Sequence, residues 1–380
     1  MIRNGERKLA YIARIEEILP IENADKIEVA RVGGWKVVVK KDEFKVGDLV
    51  VYIEIDSRVP SDREEFAFLA DRKYKVKSIK LRGQVSQGLI MPMSILPKGE
   101  YAEGDDVTKI LGITKIEEDY KVPPESDEMR LKHYHKKLAQ KKWFKSLMKY
   151  GWFRKLAFKF LIPKKKKTGW PMWVTKSDSE RCQNMLWVLQ DKSKFYVSEK
   201  IDGTSTTFTL YKDKGKLKFM VCSRNVVQDT PDRKCFYEEL GNVYWEMAIK
   251  YNIEEKMKKM FKEVGAKEHI TIQGETYGEG IQKNKYHLKG RDLAIFNFYI
   301  DGEYMNPRDM RTLMEKYELP LVPIVSYNYV LPDTFDELMK FSTGKSQLYD
   351  TLREGYVFKS FDGKINFKCV SNDFLLKWKL

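Results

Sequence analysis

The sequence predicts an α+β protein: a small N-terminal β-barrel, then a larger mixed domain, joined by a basic helical segment. Three observations carry this. Short β-type segments with turn residues between them recur from Leu9 to about Ile113. A lysine-rich stretch with apolar residues at helical spacing follows Pro123 and Pro124. From Trp170 onward, strand-like and helix-like segments alternate. The boundaries read as 1–120, 121–169 and 170–380.

In the first region, Ala10–Ile18, Glu28–Val32, Trp35–Lys40, Leu49–Ile53, Tyr74–Leu81 and Gln87–Met91 are β-branched or alternating. Gly33-Gly34, Gly47-Asp48 and Arg82-Gly83 punctuate them. Short strands at this spacing, with little helix, fit an OB-type barrel, whose open face accepts single strands or duplex edges. Strand alternation would put Lys73, Lys75 and Lys77 on one face, with Arg82 at its end. That face either tracks phosphates or is an ordinary solvated sheet surface.

The middle segment opens on the capping signal Ser126-Asp127-Glu128. A helix-prone stretch carries Leu138, Trp143, Phe144 and Leu147, and a second, after Gly151, carries Trp152, Phe153, Leu156 and Phe160. Pro163 and the run Lys164-Lys165-Lys166-Lys167 end it. A helix pair packed on a neighbouring domain, a grip on duplex phosphates and a membrane-surface contact all fit this pattern.

In the third region Phe195–Glu199, Thr206–Tyr211, Lys216–Cys222, His269–Glu275, Leu293–Ile300, Gly355–Phe358 and Lys364–Phe367 read as strands. Arg233–Tyr251, Ile253–Val264 and Arg308–Tyr317 read as helices. Hydrophobic residues make up 42% of the 380, enough for real cores. The net charge of +15, from 70 basic and 55 acidic residues, favours a polyanionic partner. Four dispersed cysteines fit neither a zinc site nor a disulfide framework and point to a reducing compartment. The expected address is intracellular, in the cytoplasm with nuclear entry left open, and no membrane partner is expected.

The stretch richest in chemistry is Ser198-Glu199-Lys200-Ile201-Asp202-Gly203-Thr204-Ser205, after an apolar strand. A lysine attacks a nucleotide α-phosphate only as the neutral amine, so something nearby must disfavour its proton. Asp202 can hold a cation, and Gly203 lets the backbone turn closely. Alone, Lys-x-Asp-Gly is equally consistent with a solvated lysine beside a turn. Further charged groups follow at strand ends: Arg224 in Ser223-Arg224-Asn225, Glu275 after Gly274, Glu354 before Gly355, and Lys359 and Lys368 on the last strands. Phe298 lies on an apolar strand between them.

This order resembles the covalent nucleotidyltransferase superfamily of DNA and RNA ligases and mRNA capping guanylyltransferases. Gly274-Glu275-Thr276-Tyr277-Gly278-Glu279-Gly280-Ile281-Gln282-Lys283-Asn284-Lys285-Tyr286 is closer to the ATP-dependent RNA ligases, as is the lead-in Lys176-Ser177-Asp178-Ser179-Glu180-Arg181-Cys182-Gln183-Asn184. With Arg82-Gly83-Gln84-Val85-Ser86-Gln87-Gly88, the N-terminal region is similar to the OB domain that precedes the transferase domain in the fifth class of these ligases. DNA ligases and capping enzymes usually carry a second OB domain after the transferase domain. A non-catalytic RNA-binding protein is the other alternative.

The resemblance implies a monomeric RNA ligase for RNA repair. It would seal 3′-hydroxyl and 5′-phosphate ends, or nicks in duplex nucleic acid, through lysyl-AMP. It implies ATP and Mg2+ (or Mn2+) as cofactors. Lys200 would be the nucleophile, and Asp202, Glu275 and Glu354 would hold the metal. Glu275 would also bond the ribose, Glu199 the base edge, Phe298 would stack on adenine and Arg224 would grip the nucleotide or the incoming strand. Lys359 and Lys368 would neutralise phosphate oxygens. The family's last motif often has a second lysine two positions on. Val370 stands there, leaving Lys377 or Lys379 as substitutes.

Overall fold

A computed structural model describes residues 2–3, 6–116, 127–162, 170–228 and 242–378. They form two compact units, each assembled from separated stretches. One holds Met1–Glu118, Asp178–Ile201 and Pro323–Leu380; the other holds Asp119–Ser177 and Asp202–Val322. The run Lys164–Lys167, Lys379 and the first part of the expected helix Arg233–Tyr251 lie outside the described residues.

In the first unit, residues 10–115 form short antiparallel strands around two apolar clusters. Ile12, Val51, Ile53 and Phe66 centre one, and Trp35, Val37, Val39 and Tyr52 the other. The strands Trp35–Lys40 and Leu49–Ile53 have the expected bounds. The first of them alternates buried Trp35, Val37 and Val39 with half-buried Lys36 and Val38, the period-two pattern of a strand with one face on a core. The expected strand Ala10–Ile18 is two, Ala10–Arg14 and Glu17–Pro20. The expected strand Tyr74–Leu81 is also broken. The short 3-10 helix Glu64–Arg72 closes on Lys73 and Tyr74, both in the left-handed region at φ 54° and 58°. Strand resumes only at Lys75–Val76 and again, in another sheet, at Ile79–Leu81.

The same unit holds a five-stranded sheet in the order Glu180–Arg181, Asn366–Val370, Gly355–Lys359, Lys194–Lys200, Ile324–Val330. Phe195, Val197, Tyr356, Phe358, Phe367 and Cys369 line one face and pack with Leu338 of the helix Phe335–Ser342. A reciprocal cap between Thr334 and Glu337 starts that helix. The barrel and this sheet share buried contacts. Glu54, fully buried, accepts from Arg7 Nε at 2.8 Å and from Asn184 Nδ2 at 3.2 Å, and Val85 packs on Val370 and Leu375.

The second unit is built on the antiparallel order Lys216–Cys222, Thr204–Asp213, His269–Gly278, Arg291–Ile300, Glu303–Tyr304. Phe208, Leu210, Ile270, Ile272, Ile295 and Phe298 pack one face against the helices Val243–Lys250, Ile253–Glu263 and Pro307–Lys316. Asn242 and Asn306 cap the first and last of these helices. Thr207, Thr209, Thr271, Gln273 and Asn297 alternate with the apolar set on these strands. The basic segment is helical at Asp127–Tyr134, Lys136–Gln140, Lys142–Leu147 and Gly151–Leu161, around a small core of Leu131, Phe144, Ala157 and Ile162. Among the described residues, no helix is long and apolar enough to cross a membrane.

Candidate active site

Strand register in the first unit brings three lysines to one face. Lys200 pairs with Gly355, Ser198 with Val357 and Tyr196 with Lys359, while Lys368 pairs with Val357. Directly paired residues share a face and alternate residues repeat it, so Lys200, Lys359 and Lys368 all stand on one side of the sheet. The other side is the aromatic core. Gly355 is required at the crossing: it sits at φ 151°, and a Cβ there would lie 2.0 Å from the Cys369 carbonyl oxygen.

Lys200 Nζ donates to Glu354 Oε2 at 2.7 Å, with both side chains largely covered. Burial lowers the Lys359 amine to about 7. Burial lowers Lys368 to about 8, and the charges of Lys200 and Arg181 push it the same way against Asp178 and Glu354. Two amines that lose their protons near neutrality, Lys359 buried and Lys368 half-buried, form a face that gains by binding an anion, because bound phosphate restores the charged form. Arg181, within the quoted lead-in but given no role there, belongs to this electrostatic set.

The same alternation turns Glu199 away from the three lysines. It is 1% exposed, accepting from Ser346 Oγ at 2.5 Å and from the Gln347 backbone N–H at 2.7 Å. Burial pushes its carboxyl up, and those hydrogen bonds offset only part of the rise. The expected contact to a base edge is therefore corrected: this carboxylate anchors the 346–347 loop. A residue next to the nucleophile on a strand must face the opposite side.

The second unit holds another group of the expected residues. Asp202 is salt-bridged to Lys285, whose side chain is almost wholly buried, and its backbone N–H donates to Tyr286 Oη at 2.7 Å. Gln282, Lys283 and Asn284 precede that lysine, and all three sit at positive φ, 45°, 61° and 46°. Left-handed backbone at ordinary residues costs about 1 kcal/mol or more each, so this loop is held in place against strain. Gly203 packs its α-carbon onto the next strand, where a Cβ would lie 2.3 Å from the Thr276 carbonyl oxygen and 2.9 Å from Glu275 Cγ. Glu275 is half-buried beside it, and Arg224 is exposed in the turn after Cys222. Lys285 and Tyr286 were within the quoted motif, but nothing in their spacing identified a partner.

Phe298 is corrected. It is fully buried in the apolar core, directly across from Ile272, so its ring is not open to a base. The register shift between Gln273 and Gly274 inserts Phe296 as an extra residue on that strand, and Phe296 is half-buried. A bulge changes which side of a strand a residue faces, and sequence alternation cannot reveal it.

Among the described residues, no three His, Cys, Asp or Glu side chains converge as a ready metal cage. The cluster Lys73, Lys75 and Lys77 is also revised. It is not one strand face, because Lys73 terminates a helix and Lys77 lies between strands. Lys73 instead lines a cavity of about 670 Å3 with Arg58, Tyr74 and Thr114, and Arg82 is exposed in a tight turn at φ 46°.

The pH dependence of the ligand-free protein follows from Lys359. Its folded pKa lies below the unfolded value near ~10.4, so above pH 7 the unfolded chain binds the extra proton. Stability should therefore rise with pH from about 7 toward 10, at no more than about 1.4 kcal/mol per unit from this group. Chemical denaturation of wild type and Lys359→Met across that range checks it. A wild-type slope that persists unchanged in the variant would remove Lys359 as the cause.

Comparison with known proteins adds to this geometry. The sequence family described as RNA ligase matches residues 193–379, and an OB-fold domain family matches residues 9–93. Among solved structures, RNA ligase from Naegleria gruberi with pyrophosphate is 32% identical over 98% of this chain and 99% of that one, at a TM-score of 0.70. A lysine-to-methionine variant of it with AMP and Mn is 31% identical over the same shares, at 0.70. A lysine-to-alanine variant with ATP and Mn is 32% identical over 98% of each chain, at 0.69. No curated protein sequence matches the chain.

Proposed function

This chain belongs to the RNA ligase family, and on that premise we propose that it joins a 3′-hydroxyl to a 5′-phosphate of RNA, at ends or nicks, through an AMP carried on Lys200. The observation that carries the residue assignment is the lysine face: Lys200 bonded to Glu354, with the amines of Lys359 and Lys368 on the same side of the sheet. The replaced residues in the Naegleria variants support it. The replaced lysine and aspartate there have the spacing of Lys200 and Asp202, and the replaced glutamate and second lysine that of Glu354 and Lys368.

In the first step, the Lys200 nitrogen forms a bond to the ATP α-phosphorus and pyrophosphate leaves. The RNA 5′-phosphate oxygen then takes AMP from the lysine, and finally the 3′-hydroxyl displaces AMP to close the phosphodiester. Lys359 and Lys368 bind the phosphate oxygens as these steps build charge on them. Arg224 grips nucleotide or strand through its planar fork, Glu275 bonds the ribose, and we assign adenine stacking to Phe296 in place of Phe298. The donor set of Asp202, Glu275 and Glu354 is all oxygen, which suits Mg2+ or Mn2+ held largely through water. Such a cation would supply charge neutralisation at the α-phosphate. Two of these carboxylates are engaged by Lys200 and Lys285, so the Asp202–Lys285 pair must loosen or share for that role.

Glu354→Ala should lose lysyl-AMP formation by at least ~100-fold, through loss of the group that positions the Lys200 amine. Incubation with labelled ATP and divalent metal, followed by acid-stable adduct counting, checks this. Wild-type adduct levels in the variant would exclude Glu354 from the site. Lys73, Lys75, Lys77 and Arg82 would hold the RNA. Point replacements suit this reading better than removal of the barrel, because Glu54 and Val85 tie the barrel to the catalytic sheet. The chain would work as a monomer in the cytoplasm, in keeping with the buried free thiols of Cys182, Cys222 and Cys369.

A further inference from the structure

We infer that the helical segment Lys142–Leu161 is a platform for an unpaired stretch of the RNA substrate, an inference that rests on the RNA ligase reading. The segment lies in the most basic part of the sequence, residues 129–177, and six of its cations fall within 142–161. No Asp or Glu occurs between Glu128 and Asp178, and sixteen Lys and Arg residues do. Against a net charge of +15, the rest of the chain is close to neutral. A stretch of sequence with that many cations and no acid favours a polyanion.

The second observation is apolar. On the helix Gly151–Leu161, Ala157 is buried in the segment's own core, but Trp152 is 67% exposed, Leu156 49% and Phe160 72%. These three recur every fourth residue and form one stripe, about 6 Å apart along the axis, with Lys155 and Lys159 alongside. Lys159 sits over the Phe160 ring at 5.6 Å. Trp143 and Tyr150, 54% and 59% exposed, lie on the preceding helix and turn.

Cations alone would suffice to hold a duplex, which stacks its bases about 3.4 Å apart and offers no open base face. Rings presented to solvent among cations are the arrangement that binds single strands: lysines take the phosphates and rings take the unstacked bases. Leu156 then covers sugar or base edges between the two outer rings. The substrate class follows. The RNA this ligase handles carries an unpaired segment, as a tail, gap or loop.

The test uses the full chain and two labelled RNAs, a nicked duplex and the same nick with a single-stranded tail, in binding titrations at fixed salt. Wild type should prefer the tailed RNA. Trp152→Ala with Phe160→Ala should weaken tailed binding by at least ~30-fold while changing nicked-duplex binding less than ~threefold. Lys155→Gln with Lys159→Gln should weaken both and lower the salt slope by about 1.5. Equal effects of the aromatic pair on the two RNAs, or no preference for the tail in wild type, overturn the inference. So does loss of flotation with phosphatidylserine vesicles at unchanged RNA affinity, which would assign the stripe to lipid. A concentration-dependent dimer abolished by the aromatic pair would assign it to a second copy. A wild-type chain that forms no lysyl-AMP from ATP is a separate failure, of the ligase reading itself.

Discussion

Lys200→Ala is expected to abolish lysine adenylylation and the joining of 5′-phosphate RNA, both below detection, while the protein remains folded. No other side chain on that face can replace it. Lys359, buried, and Lys368, half-buried, sit within strands, and in the proposed mechanism their amines go to phosphate oxygens. Lys200→Arg should fail equally, because guanidinium is never neutral at working pH. The loss should be confined to the first half of the reaction. The lysine nitrogen is consumed only in taking up AMP, so an RNA already carrying 5′-AMP should still be sealed, at reduced rate, without ATP. Activity of Lys200→Ala on 5′-phosphate RNA with ATP would remove the lysine from its role. Total loss on adenylylated RNA would show that it does more than carry AMP.

The second large effect separates two phenylalanines two positions apart. Phe298→Ala should destabilise the second unit by about 3–5 kcal/mol, the usual cost of emptying a fully buried aromatic site. Its melting transition should fall by roughly 10 °C. Phe296→Ala should leave that transition nearly unmoved and raise KM for ATP about tenfold, as the loss of one stacked ring predicts. The two readouts are independent, so a destabilised enzyme is not mistaken for one that binds nucleotide poorly. If Phe296→Ala keeps a wild-type KM, adenine stacking belongs elsewhere.

Both variants mark where the sequence was legible. Strands with one apolar face could be placed, and Lys216–Cys222, Trp35–Lys40 and Leu49–Ile53 have the expected bounds because alternation or a buried run defines them. Lys200, Glu354 and Lys368 could be singled out because their order along the chain resembles that of the nucleotidyltransferases, and strand register and the Lys200–Glu354 bond then bring them to one face. Glu199 and Phe298 went astray for geometric reasons. The first is one residue from the nucleophile and so faces the other way. The second was read without the bulge that sets Phe296 off the alternation of the core-facing residues. Lys73–Arg82 went astray because two residues in left-handed backbone broke what looked like one strand, and neither is glycine. Lys285 carries no local signal, since its partner Asp202 is far away in sequence.

The most direct measurement is the intact mass of the purified chain after incubation with ATP and Mg2+, followed by peptide mapping of any adduct. The account predicts a gain of one AMP, linked to nitrogen on the peptide containing Lys200 and reversed by added pyrophosphate. An unmodified chain under conditions where it seals RNA, or AMP found on any other lysine, would contradict it.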